Sequence, residues 1–374
     1  MNQPSPQLPP RPPPQRTSAA PSMAALARHP LALTQDQLLT RAQLVALGCA
    51  DSTTSHRCRP GGPWRRVLPR VQVLHSGTPT PRQRMRAALL YAGERALLTG
   101  LAALALHNFR SAPRPERLRY VDVLVPYGGV GARGASAAFV RVHRTRRMPE
   151  NFPVAGLGVA AIARAVADAV PGLTCERDVT AVLAEAVQRG FCTPEALLAE
   201  LGASHRRYAP YVARAKDHLR AGVHSPLEAD ARALVLRHSL PEPLWNPNLH
   251  DPLTGTFLAR PDAYWPAEGL ALEVDSREYH LDPDSWRRTL SQRNRLARAG
   301  LPVLAITAED LRWRGEGVAG EIRVALAATR RNPAPLLLVN PAPRSASSTS
   351  RPEGRGGRRP EGRAGSRPRG GSRR

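Results

Sequence analysis

With 374 residues and a formal net charge of +24, the chain is long enough for two or three domains, and its first expected partner is an anionic polymer. Almost all of the positive charge is arginine, which stays protonated and can bind a phosphate through two parallel hydrogen bonds. A GC-rich coding sequence, which raises Arg, Ala and Pro together, is a second cause, and we expect both to contribute. The chain has no run of eighteen apolar residues and no charged-then-apolar leader, so no membrane span is expected. These features predict a cytoplasmic protein, for which nucleoid association is a further option.

The four cysteines are Cys49, Cys58, Cys175 and Cys192. They have neither the paired spacing nor the histidine partners of a zinc site. The sequence therefore predicts isolated buried thiols in a reducing compartment.

The N-terminal stretch changes character near residue 23. Residues 1–22 are dominated by Pro, Gln and Ser and are expected to be disordered. Residues 23–76 have the spacing of a winged helix-turn-helix, in which three short helices precede a two-stranded wing.

Three polar caps predict the helices of this segment. Thr34 is expected to cap a short helix over residues 35–39, and Thr40 a second helix over residues 41–47 that ends at Gly48. A third helix is predicted to begin near Asp51. Residues 64–73 alternate as the two strands of a wing would.

Arginines lie on the two parts that face DNA in such a domain. The predicted third helix carries Arg57, with Arg59 just beyond it, and the wing carries Arg65 and Arg66. The segment resembles the N-terminal domain of AbiEi-type antitoxins, the regulatory partners in type IV toxin–antitoxin systems. The resemblance implies that these four arginines bind DNA. The alternative is a small helical domain whose arginines form a solvated face.

Residues 77–204 also resemble those antitoxins and are predicted to form an α+β middle domain. A helix over residues 81–92, a second over residues 96–107 and a strand over residues 120–126 are expected first. A glycine-rich stretch then predicts a hairpin turn to a partner strand over residues 138–144, rather than a phosphate loop, because the Gly-Lys-Ser/Thr ending is missing.

The pattern after this strand pair is helical. Helices are predicted over residues 159–170, 175–189 and 195–201. Residues 205–222 are expected to form a basic helical linker, in which the lone His218 lies at the surface or caps a helix, as does His224 just beyond it.

A β-hairpin is predicted over residues 260–275, where two apolar runs flank a Pro/Gly turn. In the second run Leu270, Leu272 and Val274 alternate with Ala271, Glu273 and Asp275, so the two acids share one face of the strand. If the turn is centred between residues 267 and 268, Asp262 lies opposite Glu273. Carboxylates this close favour a divalent cation between them. The alternative is an exposed face with solvated acids.

The acids around the hairpin carry a resemblance. Glu228 opens a predicted helix over residues 228–238, and His280 follows Asp275 by five residues. The order Glu228, Asp262, Glu273-x-Asp275, His280 resembles the very-short-patch-repair-like endonuclease domain, a branch of the PD-(D/E)XK nuclease fold. A helix over residues 286–298, with Trp286, Leu290 and Leu296 toward the core, and a strand over residues 303–307 look like the closing elements of that family.

The resemblance implies a metal-dependent nuclease. Asp262 and Glu273 would bind Mg²⁺ (or Mn²⁺), with Asp275 as a further ligand and Glu228 holding a second ion or a metal-bound water. His280 is the candidate general base or acid. Three arginines are expected to position the DNA strand through its phosphates: Arg277, Arg287 and Arg288.

Three departures from that family favour a different function. Ser276 stands where relatives have Gly, the helix after His280 is poor in acids, and Asp275 replaces the lysine of the wider superfamily. These departures suit a non-catalytic DNA-binding regulator that keeps the nuclease fold as a scaffold. A cognate toxin protein as partner rests on the antitoxin resemblance alone.

The predicted architecture is an α+β N-terminal half followed by an α/β restriction-endonuclease-like domain over residues 223–330. Residues 331–374 are expected to form a disordered basic tail. From residue 333 onward, ten arginines against two glutamates give this tail a charge of about +8, enough to hold nucleic acid by charge alone.

Overall fold

The computed structural model describes residues 21–128, 136–203, 209–275, 283–331 and 337–340. Within these ranges the chain is a mixture of α-helices and small β-sheets, as expected for a chain with alternating apolar periods. No helix in the described ranges combines the length and the apolar character needed to cross a bilayer.

The N-terminal unit consists of four short helices and a three-stranded antiparallel sheet in the order β1-β3-β2. Its core contains Leu26, Leu39, Leu44, Cys49 and Trp64. The elements are α1 Met23–Arg28, α2 Pro30–Thr34, β1 Leu38–Thr40, α3 Arg41–Ala46, α4 Asp51–Arg57, β2 Arg65–Leu68 and β3 Val71–Val73.

Local capping explains most of this unit. Thr40 caps α3 in a reciprocal box with Gln43, and Gly48 beyond the helix has φ +82°. The predicted second and third helices and the predicted pair of strands over residues 64–73 are therefore confirmed. The predicted helix over residues 35–39 is wrong. The helix lies earlier, at Pro30–Thr34, and Leu38–Thr40 pair with β3 as a strand.

The described part of the middle unit contains six α-helices and a three-stranded sheet in the order β4-β5-β6. Strand residues of the N-terminal sheet, such as Leu38 and Val71, share its core with Met85 of α5. The elements are α5 Pro81–Ala92, β4 Leu97–Leu98, α6 Gly100–Leu106, β5 Val121–Pro126, β6 Val140–Thr145, α7 Ile162–Ala169, α8 Glu176–Gln188, α9 Pro194–Gly202 and α10 Pro210–Arg220.

Two predictions for this unit are wrong. The helix expected over residues 96–107 begins only at Gly100, because Leu97 and Leu98 pair with β5. Strands β5 and β6 are parallel, so no hairpin joins them. Alternating apolar residues look the same in both orientations, which is why the sequence did not separate them.

The thiols differ in part from expectation. Cys49 is buried, but Cys175 is exposed, and all four cysteines are free. The predicted linker segment forms helix α10, which packs into the middle unit through Val212 and Leu219.

The C-terminal unit is built on a mixed four-stranded sheet in the order β12-β11-β10-β7. Strands β7, β10 and β11 are antiparallel neighbours, whereas β11 and β12 are parallel and joined through a helix. The elements around this sheet are α11 Pro226–Arg237, β7 Leu244–Trp245, β10 Ala263–Trp265, β11 Leu270–Asp275, α12 Pro283–Arg298, β12 Val303–Thr307, α13 Ala308–Trp313 and α14 Gly315–Arg331.

The predicted hairpin and its register are confirmed. Ala263 pairs with Leu272, and Trp265 with Leu270, which centres the turn between residues 267 and 268. Leu270 and Leu272 face a core shared with α11 and α14, while Ala271 faces Leu296 of α12. The face that carries the acids is therefore covered by a helix.

Three smaller findings complete this unit. Strands β8 Asn248–His250, β9 Phe257–Ala259 and β13 Leu338–Asn340 form a second sheet, so the expectation of a disordered tail from residue 331 is wrong for β13. Of the core residues predicted for α12, Leu296 is buried, but Leu290 is 39% exposed. The side chain of Trp286 lies outside the described residues.

Candidate active site

Four carboxylates meet at one end of the C-terminal sheet, and we call them the acid cluster: Glu228, Asp262, Glu273 and Asp275. Glu228 lies in the first turn of α11, Asp262 immediately precedes β10, and the other two lie in β11. The Asp262 Oδ2 atom accepts a hydrogen bond of 2.7 Å from the Val274 backbone N–H. This side-chain bond extends the contact between the two strands beyond Ala263 and Leu272, their last paired residues.

Helix α11 fixes Glu228 by ordinary capping. Ser225 caps the helix, Pro226 occupies its first position, and Glu228 reaches back to accept the His224 backbone N–H at 2.8 Å. Because Glu228 is only 6% exposed, its charge depends on these donors rather than on water.

Asn246 connects Glu228 to Asp262, and the sequence analysis missed it. Its side-chain Nδ2 donates to Glu228 Oε2 at 2.6 Å, and its backbone N–H donates to the Asp262 carbonyl at 3.0 Å. The residue has φ +52°, a left-handed conformation that Asn tolerates better than most residues. The Asn-Pro pair in a loop was the available signal.

Helix α12 reaches into the cluster from the other side of the sheet. Gln292 Nε2 donates to Glu273 Oε1 at 2.7 Å and to the Arg260 carbonyl at 3.0 Å. Arg293 Nη2 lies 2.5 Å from Asp275 Oδ2. Neither residue was singled out from the sequence, because which face of α12 meets the acids depends on how the helix docks.

Burial and mutual repulsion raise the pKa of three cluster members. Desolvation and then the charge of Asp262 raise the pKa of Glu228 to about 7, and the same two causes raise the pKa of Glu273 to about 7. Desolvation, followed by the charge of Asp275, raises the pKa of Asp262 to about 6 against the opposing hydrogen bond from Val274. The surrounding donors therefore do not compensate the charges of the cluster.

The donor chemistry of the cluster fits a hard divalent cation, since Mg²⁺ and Mn²⁺ prefer carboxylate oxygens. In the described conformation each carboxylate also accepts a hydrogen bond from a protein donor. Among the described residues no three His, Cys, Asp or Glu side chains already stand in a metal-holding arrangement. Holding an ion would require these side chains to exchange protein donors for it.

Several predicted site residues lie outside the described residues. These are His280 and Arg277, together with the side chain of Arg288. Arg287 is exposed on α12, and its neighbours along the same surface include Leu290, Ser291 and Arg298.

The arginines predicted to bind DNA in the N-terminal unit fall into two groups. Arg59, Arg65 and Arg66 are exposed. Arg57 is turned inward: its Nη2 donates to the Pro21 carbonyl at 3.1 Å, and its guanidinium carbon lies 4.6 Å from the ring centroid of Trp64. Arg57 thus binds the protein itself.

The two lone histidines differ from the surface or capping roles expected of them. His218 is 5% exposed and its Nε2 lies 3.1 Å from Glu176 Oε1. The His224 backbone N–H donates to Glu228, and its imidazole is half-buried; burial followed by the charge of Arg260 lowers its pKa to about 4.

A large cavity near α11 does not coincide with the acid cluster. Its volume is about 1770 Å³, it lies between the helices of the middle unit and α11, and His218, His224, Arg232 and Trp245 lie on its wall. None of the four clustered acids lines it. His224 stands between this cavity and Glu228.

A comparison of the chain with models of protein families, with curated proteins and with solved structures finds no match.

Proposed function

We propose that the protein is a DNA-binding, Mg²⁺- or Mn²⁺-dependent endonuclease that hydrolyses phosphodiester bonds at the acid cluster. The observation that carries the proposal is the convergence of Glu228, Asp262, Glu273 and Asp275 at one end of the sheet, with three pKa values raised by burial and repulsion. Uncompensated carboxylates of this kind are typical of catalytic sites that bind cations.

The cluster gives each acid a role. Asp262 and Glu273 would hold the ion, Asp275 would complete its ligands, and Glu228 would hold a second ion or a bound water. When bound, the ion would polarise the scissile phosphate and lower the pKa of water. In the hydrolysis, the water oxygen forms a bond to phosphorus, the bond from phosphorus to the leaving sugar oxygen breaks, and that oxygen takes up a proton. His280 remains the predicted proton-transfer group.

The order of elements supports this proposal. An acid-bearing helix α11, an acid-bearing hairpin β10–β11, a covering helix α12 and a parallel strand β12 follow one another as the resemblance to very-short-patch-repair-like endonucleases implies. The N-terminal unit, with helices α3 and α4 before the hairpin β2–β3, is likewise compatible with a winged helix that reads DNA in the cytoplasm.

A second candidate function is a non-catalytic DNA-binding regulator, with or without a toxin partner. The observation that favours it is that protein donors already occupy the acids: Gln292 binds Glu273, Arg293 binds Asp275 and Asn246 binds Glu228. In that case the cluster would be a structural network.

A nicking assay separates the two functions. Full-length protein is incubated with supercoiled, mismatched and single-stranded DNA. The buffer contains Mg²⁺ or Mn²⁺ at about 5 to 10 mM, a usual range for these ions in such assays. We expect nicked product from the native chain and a loss of about 100-fold or more for Asp262→Asn and Glu273→Gln. Exposed Glu316→Gln, the matched neutralisation, should retain activity. Binding without cleavage by every variant would favour the regulator.

A further inference from the structure

Arg293 is the cation that directly contacts the acid cluster among the described residues. Its Nη2 atom lies 2.5 Å from Asp275 Oδ2, and its charge lowers the pKa of both Asp262 and Glu273. The charge of Arg260 also lowers the pKa of Asp262, but the ion pair described at the cluster is that of Arg293 with Asp275. Arg293 is therefore the counterion that any incoming divalent cation would have to replace at Asp275.

The ion pair lies at the rim of the cluster. The side chains of Arg293 and Asp275 are 25% and 21% exposed, whereas Glu228 and Glu273 are 6% and 7% exposed. A rim position places the guanidinium between the buried acids and any substrate that approaches from solvent.

One hydrogen-bond donor of Arg293 is unused. A guanidinium has five N–H donors, yet the Nε atom of Arg293 is buried without a hydrogen-bond partner within the described part of the chain. A buried donor without a partner is costly, so a ligand that offers several oxygens would be favoured here. A phosphate group has the matching geometry, because its oxygens accept parallel bonds from a guanidinium.

We propose that Arg293 binds the substrate phosphate, and that its ion pair with Asp275 occupies the guanidinium until a cation binds. The inference rests on the proposed nuclease function. With a divalent ion held by the acids, Asp275 would release the guanidinium, which would then donate to the non-bridging oxygens of the scissile phosphate. Arg293 lies on α12 next to Gln292, which binds Glu273, so its guanidinium would remain beside the cluster.

The test measures metal affinity and turnover in the full-length protein after removal of metal with EDTA. The variants are Arg293→Gln, Arg293→Lys and the control Arg298→Gln, which removes the same charge from an exposed position of the same helix. Mn²⁺ affinity is measured by calorimetry, kcat and KM by nicking of supercoiled DNA, and folding by thermal melting.

We expect Arg293→Gln to bind Mn²⁺ about tenfold more tightly, because the competing guanidinium is gone, and to lose about 100-fold in kcat, because the phosphate loses its donors. Arg293→Lys keeps the charge but loses the planar fork, so its Mn²⁺ affinity should stay within about twofold of the native value while kcat falls about tenfold. Arg298→Gln should change neither quantity by more than about twofold.

Different results would overturn the role of Arg293, alone or together with the nuclease proposal. Unchanged or weaker Mn²⁺ binding by Arg293→Gln, or native kcat in Arg293→Lys, would overturn the role of Arg293 and leave the nuclease proposal standing. If the native protein bound no Mn²⁺ and cut no DNA, both proposals would fall. If Arg293→Gln does not fold, the kcat of Arg293→Lys still decides whether Arg293 has the proposed role.

Discussion

At the scale of single residues, the acid cluster combines carboxylates that repel one another with donors too few to balance them. Asn246, Gln292 and the Val274 backbone N–H each satisfy one oxygen, yet the pKa of Glu228 and of Glu273 still rises to about 7. Desolvation exceeds the hydrogen bonds in each case, so the cluster lowers the stability of the fold at neutral pH when no cation is bound.

This balance predicts a pH dependence of stability. Between the ordinary pKa near 4.5 and the folded pKa of about 7, the folded chain binds more protons at Glu228 and Glu273 than the unfolded chain does. Stability should therefore fall as pH rises through that window, by roughly 2 to 3 kcal/mol for each of the two groups. Urea unfolding of EDTA-treated protein at pH 5 and pH 7.5 measures the fall.

Two comparisons check the cause. Glu273→Gln should reduce the fall, because an amide does not ionise, and exposed Glu316→Gln should not. Adding Mn²⁺ at pH 7.5 should restore stability to the native protein if the acids bind the ion. A fall of the same size in Glu273→Gln would mean that other groups cause it.

At the scale of elements, α12 determines what the acid-bearing face of the hairpin meets. Leu296 packs against the sheet and Arg295 Nε donates to the Leu258 carbonyl at 2.6 Å, which fixes the rotation of the helix. That rotation directs Gln292 and Arg293 to the acids and leaves Leu290 exposed. An arginine-rich helix thus contributes to the candidate site through two polar residues.

The β2–β3 hairpin, which is the predicted wing, allows a test at this scale. Arg65 and Arg66 are exposed on β2, whereas Arg57 is held by Trp64 and Pro21. If the wing binds phosphates, Arg65→Gln/Arg66→Gln should weaken duplex DNA binding about tenfold, measured by fluorescence anisotropy. The charge-matched pair Arg237→Gln/Arg323→Gln, exposed on α11 and α14, should weaken binding about twofold at most. Equal losses would indicate that only total charge matters.

At the scale of the whole molecule, charge is unevenly distributed along the chain. Residues 341–374 hold ten arginines and two glutamates, a difference of +8 out of the net +24. Such a segment binds phosphates by displacing counterions, which makes affinity strongly dependent on salt and nearly independent of DNA sequence.

Removal of residues 341–374 should therefore lower non-specific affinity while preserving the fold, since β13 ends at Asn340. The slope of log K against log salt should become shallower by about 0.9 for each phosphate contact that is lost. The slope is measured by anisotropy titrations between about 50 and 300 mM salt, the range in which counterion release is usually observed. An unchanged slope would show that these arginines do not contact DNA.

The sequence by itself determined the features that depend on local rules. The caps at Thr40 and Ser225 start α3 and α11, and the period-two alternation with a Pro/Gly turn established the hairpin register that sets Asp262 against Glu273. Capping, alternation and turn geometry act over a few residues, so they can be recognised without knowing the rest of the fold.

Only the tertiary structure decided which distant residues meet. It made β5 and β6 parallel, buried His218, turned Arg57 inward and brought Asn246, Gln292 and Arg293 to the acids. These outcomes depend on how helices dock and where loops cross, and many packings bury nearly the same apolar area. The choice among them depends on long-range contacts that no local pattern in the chain encodes.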